Sequence, residues 1–270
     1  MRLATLFSRI AQYAFLVFVF LFIATPMIVI LVFSFDANRF PTIPWGGFSL
    51  EWHKAVLEDG MIRTSFMNSL VVAGSTAVIA TFVGFAAAYI DYRYVFRGKS
   101  LMGLAVAIPP AVPASILGMA MLAFLSRVGL FGSVSAIVAC HVAIASSFAM
   151  AIVRLRLRDF PPELEPAAHN LGAPPFTTLM RVVIPFCQPA LIASFFLTAA
   201  VSFDEFLIAW FVGGTVETLP VRILNLLQGQ VNPKINAIGT IVLAISVTLV
   251  LLAQNFIGAR ATQRSGTQEE

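Results

Sequence analysis

Residues 11–35 form an uninterrupted stretch of 25 residues without a charged side chain. A helix of about 20 apolar residues is long enough to cross the hydrocarbon core of a bilayer. The apolar part of a secretory signal peptide is shorter, about 7–15 residues, and is followed by a small-residue cleavage site. We therefore interpret this stretch as a retained transmembrane helix. Only 11% of the chain is charged and its mean hydropathy is +0.90, which indicates that the bilayer replaces the usual soluble core.

Five further apolar stretches follow, and together they predict an all-α polytopic membrane protein with a single transmembrane domain, residues 1–270. The six predicted spans are residues 11–35, 68–90, 101–125, 131–153, 190–212 and 235–257. Eleven of the 17 lysines and arginines lie in the segments that share a side with the N-terminus. Because cytoplasmic segments carry the excess of positive charge, we predict that both termini are cytoplasmic.

Charge, cysteine and histidine usage argue against several classes of function. The net charge of +4 is spread between apolar spans, so nucleic-acid binding is not predicted. Cys140 and Cys187 fall at different predicted depths, so we expect no disulfide. The three histidines are scattered without metal-ligand spacing, and we expect neither a metal site nor a catalytic group. His141, alone in the fourth span, is interpreted as a packing or hydrogen-bonding residue.

A polar segment between the fourth and fifth spans has the pattern of two short helices joined by a glycine turn. It reads PPELEPAAHNLGAPPFTTLMRVVIP, residues 161–185. Glu163 and Glu165 suit the positive end of a helix dipole. Gly172 suits the end of that helix, and Pro175 suits the start of the next. Because the segment is too rich in charge and proline to cross a bilayer, we expect a cytoplasmic finger that a partner protein grips.

The same segment resembles the EAA loop of ABC-importer permeases, whose pattern is Glu-Ala-Ala, three residues, Gly, nine residues, then Ile-x-Leu-Pro. The residues that fit this spacing are Ala167, Ala168, Gly172 and Pro185. Pro166 stands where the pattern has glutamate, and Glu165 is the neighbouring carboxylate that would replace it. The resemblance implies a coupling loop over residues 154–189, in which Glu165 and the four fitting residues contact an ATPase.

Other runs along nearly the whole chain resemble the second permease subunit of spermidine/putrescine-type importers. They are FMNSLVVA (66–73), IPPAVPASILGMAML (108–122), SFDEFLIAWFVGG (202–214), TLPVRILNLL (218–227) and VNPKINAIGT (231–240). The resemblance implies a type I importer permease with the MetI-like fold, in the bacterial inner membrane. Its solute would be a polyamine or a related organic amine.

The same resemblance implies the partners. They are a second homologous permease, two ATPase subunits and an external solute-binding protein. This chain is expected to bind no cofactor of its own, with ATP and magnesium held by the ATPase. In agreement, the sequence contains no Gly-x-x-x-x-Gly-Lys-[Ser/Thr] phosphate loop, so the chain is not expected to be an enzyme.

The third span contains Pro109, Pro110 and Pro113 within five residues. Proline removes a backbone donor and breaks a regular helix. A broken helix inside a membrane persists only where it is buried in protein or lines a cavity. A hinge or pathway lining is one interpretation of these prolines, and a simple packing kink is the other.

Asp204 and Glu205 lie inside the predicted fifth span, next to Phe203. A carboxylate in the membrane is costly and marks a functional site by default. One interpretation is a site on the route of a cationic solute, with Phe203 available for a cation–π contact. The other is a contact between helices that fixes assembly.

Two further classes of protein compete with the importer. An ion-coupled secondary transporter would use Asp204 and Glu205, but it gives no reason for the finger and favours an internal repeat, which is not evident. An intramembrane protease or lipid transferase would need a paired catalytic motif that the sequence lacks. Uptake that depends on ATP indicates the importer, whereas uptake that depends on the membrane potential and not on ATP indicates the secondary transporter.

Overall fold

A computed structural model describes residues 2–39, 42–229 and 234–258, with side chains for residues 9–39, 42–229 and 234–256. Within these ranges the regular structure is helical, apart from an isolated antiparallel bridge between Asp36 and Phe48, so the all-α prediction is confirmed. The helices are α1 (Arg2–Ser34), α2 (Glu51–Glu58), α3 (Gly60–Arg93), α4 (Lys99–Ala107), α5 (Ala114–Arg127), α6 (Val134–Arg158), α7 (Leu164–Asn170), α8 (Pro175–Thr178), α9 (Ile184–Asp204), α10 (Leu207–Val212), α11 (Leu219–Gly229) and α12 (Lys234–Gly258).

Among the described residues, five helices are long and apolar enough to cross a membrane. They are Arg9–Ser34, Gly60–Arg93, Val134–Arg158, Pro175–Asp204 and Lys234–Phe256. Each contains most of one predicted span, and they account for the first, second, fourth, fifth and sixth. The first continues through Pro26 as helix. Its side chains are almost all exposed in the isolated chain, which is the surface that a bilayer or partner helices cover.

The predicted third span is interrupted. It consists of α4, a 3₁₀ turn at Pro109–Ala111 and the 14-residue helix α5. Residues 112 and 113 are extended, with ψ near 130°. Because the prolines cannot donate backbone hydrogen bonds, the span predicted over residues 101–125 consists of two shorter helices, and the break expected at the prolines is present.

The contacts divide the chain into two units. The first comprises residues 1–63 and 223–243, and it holds a compact loop ahead of α2. The buried Asp36 organises this loop, because its Oδ1 accepts the backbone N–H groups of Asn38 and Gly46 at 3.0 and 2.9 Å. Trp52, on α2, donates its indole N–H to the Asp36 carbonyl at 3.0 Å.

Among the described residues, the second unit comprises 64–222 and 244–258, and its centre is the packing of α6 against α9. Ser133 starts α6, since its hydroxyl accepts the Ala136 N–H at 3.1 Å. Helix α3 approaches α6 closely at Gly84, where an added Cβ would lie 2.5 Å from the Ala149 Cβ. Both cysteines are buried free thiols in this unit.

Candidate functional site

The finger begins with α7, which ends in a specific hydrogen-bonded turn at Gly172. The Ala173 N–H donates to the Ala168 carbonyl at 3.0 Å, and the Gly172 N–H donates to the His169 carbonyl at 2.9 Å. This pair of bonds is the Schellman arrangement, in which the residue after the helix takes a left-handed conformation. Gly172 does so, with φ of 84°. The first helix of the finger, α7, therefore ends just before Gly172, as predicted.

The second arm of the finger differs from the prediction. Instead of a separate short helix, α8 runs through a π turn at Leu179–Val183 directly into α9, giving one helical segment, Pro175–Asp204. Pro175 starts it, but no glycine follows to end it before the membrane. Pro185 lies in the first turn of α9. The segment that begins three residues after Gly172 is thus long and apolar enough to cross a membrane.

Polar and apolar residues of the finger face different surroundings. Glu165 is 6% exposed and its Oε2 lies 2.7 Å from Arg93 Nε, at the end of α3. Leu171 and Phe176 are 89% and 69% exposed, and Ala167 is exposed on the same segment. The exposed surface of the finger therefore carries large apolar side chains beside the polar Glu163 and Asn170, and the carboxylate expected to face a partner forms an ion pair within the chain. Sequence reasoning missed Arg93, because the pair joins residues far apart in the chain.

A second ionic cluster lies beside that pair. Asp91 is 9% exposed and accepts Arg154 Nη2, from α6, at 2.6 Å. Lys99, the first residue of α4, lies 3.6 Å from the other carboxylate oxygen. The last turn of α3 thus connects to α4 and α6 through Asp91 and to α7 through Arg93.

The two membrane carboxylates lie at a helix break, not on one helix as predicted for residues 190–212. Helix α9 ends at Asp204, Glu205 is extended with ψ of 119°, and α10 begins at Leu207. No proline or glycine marks this break in the sequence.

The break gives the two carboxylates different environments. Glu205 Oε1 accepts the Ile208 N–H at 2.8 Å, so Glu205 caps the positive end of α10. Asp204 is exposed in the isolated chain and accepts the Ser246 hydroxyl of α12 at 2.6 Å. It is also the last residue of α9, where the negative end of the helix dipole disfavours an anion. The Glu205 carboxylate is thus bound to the start of α10, whereas the Asp204 carboxylate contacts α12 and is exposed.

The break at residues 108–113, which contains the three prolines, lies level with the break that follows Asp204. Helices α5 and α10 pack side by side and both run toward the segment that precedes α6, where the Gly132 N–H donates to the Val212 carbonyl at 3.1 Å. Gly118 and Phe211 face each other, and each lies four residues beyond the first residue of its helix. The starts of α5 and α10 are consequently level. Pro110 and Pro113, just before α5, are exposed in the isolated chain, and Pro109 is half-buried.

Phe203 and His141 lie in the core near the carboxylate break. Phe203 is 2% exposed and packs edge-to-face on Phe66, with 6.5 Å between ring centroids. His141 is 2% exposed, and its Nδ1 lies 2.8 Å from the Ser202 hydroxyl. The interpretation of His141 as a hydrogen-bonding residue is confirmed.

Comparison with known families places these features in context. A family model described as "Binding-protein-dependent transport system inner membrane component" matches residues 80–263. The PotC permease protein of the spermidine/putrescine transport system of Haemophilus influenzae is 30% identical over 242 residues, covering 89% of this chain and 94% of that protein. PotC of Escherichia coli (strain K12) is 28% identical over 248 residues, covering 92% and 94%. The putrescine transport system permease protein PotI of the same strain is 29% identical over 253 residues, covering 91% and 89%.

Solved structures have the same fold. A bacterial ABC transporter involved in the import of alginate superposes with a TM-score of 0.71 at 16% identity, covering 95% of this chain and 98% of that one. The MetNI methionine ABC transporter, in an inward-facing conformation, superposes with a TM-score of 0.55 at 21% identity, covering 76% and 98%. The predicted MetI-like permease fold is confirmed by these similarities.

Proposed function

Because this chain belongs to the family of binding-protein-dependent transport system inner membrane components, we propose that it is one of two permease subunits of an ATP-driven importer of polyamines or related organic amines. The chain is a multi-pass protein of the bacterial inner membrane. The observation that carries the solute class is Asp204, a carboxylate at the negative end of α9 and at a break between membrane helices. The family match supports this role rather than that of an ion-coupled transporter.

The finger supports the use of an external motor. Two large apolar side chains of the finger, Leu171 and Phe176, are highly exposed, which fits contact with a cytosolic protein partner better than contact with water. We propose that a pair of ATPase subunits, which bind ATP and magnesium, contacts this surface, the exposed Ala167 and the Gly172 turn. This chain then has no hydrolytic role. Glu165 acts within the chain and does not contact the ATPase directly.

The orientation follows from charge. Arg154, Arg156 and Arg158 lie at the end of α6 that leads to the finger. Positive residues of membrane proteins concentrate on the cytoplasmic side, so the finger and both termini are cytoplasmic in this proposal. An external solute-binding protein then contacts the transporter from the side of the membrane opposite the finger.

The solute is proposed to cross near the two helix breaks. A break leaves the last carbonyls of α9 without helical donors, and these dipoles add to the charge of Asp204. An ammonium group is a three-proton donor that both kinds of oxygen accept. A diamine or polyamine carries several such groups along a flexible chain, which suits a narrow path lined by few polar atoms.

The test is uptake by the complete transporter in proteoliposomes with its external binding protein. We expect uptake of labelled putrescine or spermidine that requires ATP and is unaffected by collapsing ion gradients. Asp204→Asn should lower uptake roughly tenfold or more, as expected for losing a charged partner in a low-dielectric site. Glu205→Gln is the matched control, because its amide oxygen still accepts the Ile208 N–H, and it should lower uptake less.

Two outcomes would refute the proposal. Uptake driven by an ion gradient without ATP would refute the importer. ATP-dependent uptake that is equally fast in Asp204→Asn and in the wild type would refute the assigned cation site, while leaving the importer intact.

A further inference from the structure

The last turn of α3 is a junction of oppositely charged side chains. Arg93 pairs with Glu165 of α7 at 2.7 Å, and Asp91 pairs with Arg154 of α6 at 2.6 Å. Lys99 of α4 also approaches Asp91. Asp91 and Arg93, two positions apart in the last turn of α3, therefore connect this helix to α4, α6 and α7.

The two partners in the α3–α7 ion pair are buried to different extents. The Glu165 side chain is 7% exposed, whereas that of Arg93 is 44% exposed. The second oxygen of Glu165 is buried and accepts no hydrogen bond from the part of the chain that the structure describes. Arg93 is consequently the counter-ion on which burial of Glu165 depends. Removing one member of such a pair costs more than the pair contributes, because a buried charge is left behind.

The ion pair also fixes which residue of α7 faces α3. Glu165 is turned toward α3, whereas its neighbour Pro166 is exposed on the other side of the helix. Helix α7 has only 7 residues, too few to hold its orientation through local hydrogen bonds alone. Its placement therefore depends on a contact with a longer helix.

The junction also leads toward the proline break. Lys99 begins α4, which ends at Ala107, immediately before the interruption at residues 108–113. Near that end, the Ser147 hydroxyl of α6 donates to the Val106 carbonyl. A movement of the α3 terminus is thus applied to Lys99, the first residue of α4, through Asp91.

We propose that Arg93 is a positioning residue that fixes α7 to α3, so that displacement of the finger reaches α4 and the proline break through the Arg93–Glu165 pair and Asp91. This inference rests on the proposed importer function for its transport consequence. The placement of α7 by Arg93 is a property of the chain itself and is testable without transport.

The first measurement is amide hydrogen exchange of residues 164–170 in the detergent-solubilised chain. Arg93→Ala should raise the exchange rate of these amides roughly tenfold, within the range measured for coupling between contacting charged residues. The exchanged pair Arg93→Glu with Glu165→Arg should return it toward the wild-type rate. Arg97→Ala removes an exposed arginine just beyond α3 and is the matched control, with no change expected.

The second measurement is the amount of solute taken up per ATP hydrolysed by the complete transporter. Glu165→Gln is included because it removes the charge without leaving a buried carboxylate, so the complex is expected to assemble. Uptake per ATP should fall in Glu165→Gln and Arg93→Ala, recover in the charge-exchanged variant and remain unchanged in Arg97→Ala. A purely structural role would lower the amount of complex and leave this ratio unchanged.

The outcomes separate the two levels of the proposal. Unchanged exchange in Arg93→Ala, or failure of the charge exchange to restore it, overturns the positioning role. Altered exchange with an unchanged uptake-to-ATP ratio overturns the transmission to the proline break. A wild-type transporter without ATP-dependent uptake refutes the proposed function, while the exchange experiment still decides the role of Arg93.

Discussion

Substitution of Gly172 tests whether the turn of the finger is needed for coupling, because a side chain at this position strains the backbone without clashing with other atoms. Its φ of 84° lies in the left-handed region, yet a Cβ added at this position meets nothing within 4 Å. Gly172→Ala therefore introduces a conformational penalty and no clash. An L-residue in this conformation costs about 1–2 kcal/mol. A penalty of that size lowers the population of the native turn by roughly 5–30-fold relative to its alternatives.

The assay is ATP-dependent uptake, with the quantity of assembled transporter measured in parallel. We expect Gly172→Ala to reduce uptake by several-fold and Gly172→Val to reduce it further, because a β-branched residue tolerates positive φ least. Gly172→Asn is the matched control, since asparagine adopts the left-handed conformation readily. It adds more bulk than alanine but should retain more uptake.

The order of these variants decides between two explanations. If loss of uptake follows side-chain size, with asparagine worse than alanine, the finger is limited by space against its partner. If alanine and valine match the wild type, the Schellman turn is not needed for coupling and the reasoning fails.

Two further predictions concern packing and charge. Gly84→Ala should destabilise the chain by about 1–3 kcal/mol, because the added Cβ overpacks against Ala149. Gly74→Ala, where a Cβ meets nothing within 4 Å, should be neutral or stabilising. Thermal unfolding in detergent measures both variants, and equal stabilities would contradict the close approach of α3 to α6 at Gly84. Burial alone would raise the pKa of Asp59, but its hydrogen bond from Lys234 at 3.0 Å and those from two backbone N–H groups lower it below the ordinary value of 3.8. This contribution to stability is present above about pH 5 and is lost as the pH falls through 3.8 toward the folded-state pKa, so Asp59→Asn should unfold with less dependence on pH between 5 and 3 than the wild type. An identical pH dependence in that variant would show that the ion pair contributes nothing.

Much of the helical framework could be predicted because it depends on local signals. Runs of about 20 apolar residues must satisfy their backbone internally, so their length predicts spanning helices. The turn at Gly172 was predictable because only glycine takes its conformation without cost. The break near Pro109 was predictable because proline lacks a donor.

The features that were missed depend on tertiary contacts. The break after Asp204 contains neither proline nor glycine, and it is stabilised by the Glu205 cap and the contact of Asp204 with Ser246. The Arg93–Glu165 pair joins residues on separate helices, and no local pattern identifies which arginine turns inward. The continuity of α8 with α9 was missed because Pro175 marks a helix start without indicating how far the helix extends.

The contacts of α6 indicate where movement is possible in the second unit. Its residues hold α9 at both ends, through His141 to Ser202 and through Arg156, whose Nε donates to the Phe186 carbonyl at 3.1 Å. Arg154 and Ser147 hold the termini of α3 and α4. Because α6 is bonded to so many neighbours, we expect it to stay in place while other helices move. The chain can bend at residues 108–113 and 205–206, because the helical hydrogen bonds are interrupted there. Because those two points are level with each other, a push from the finger is expected to change the space beside Asp204 more than the packing along α6.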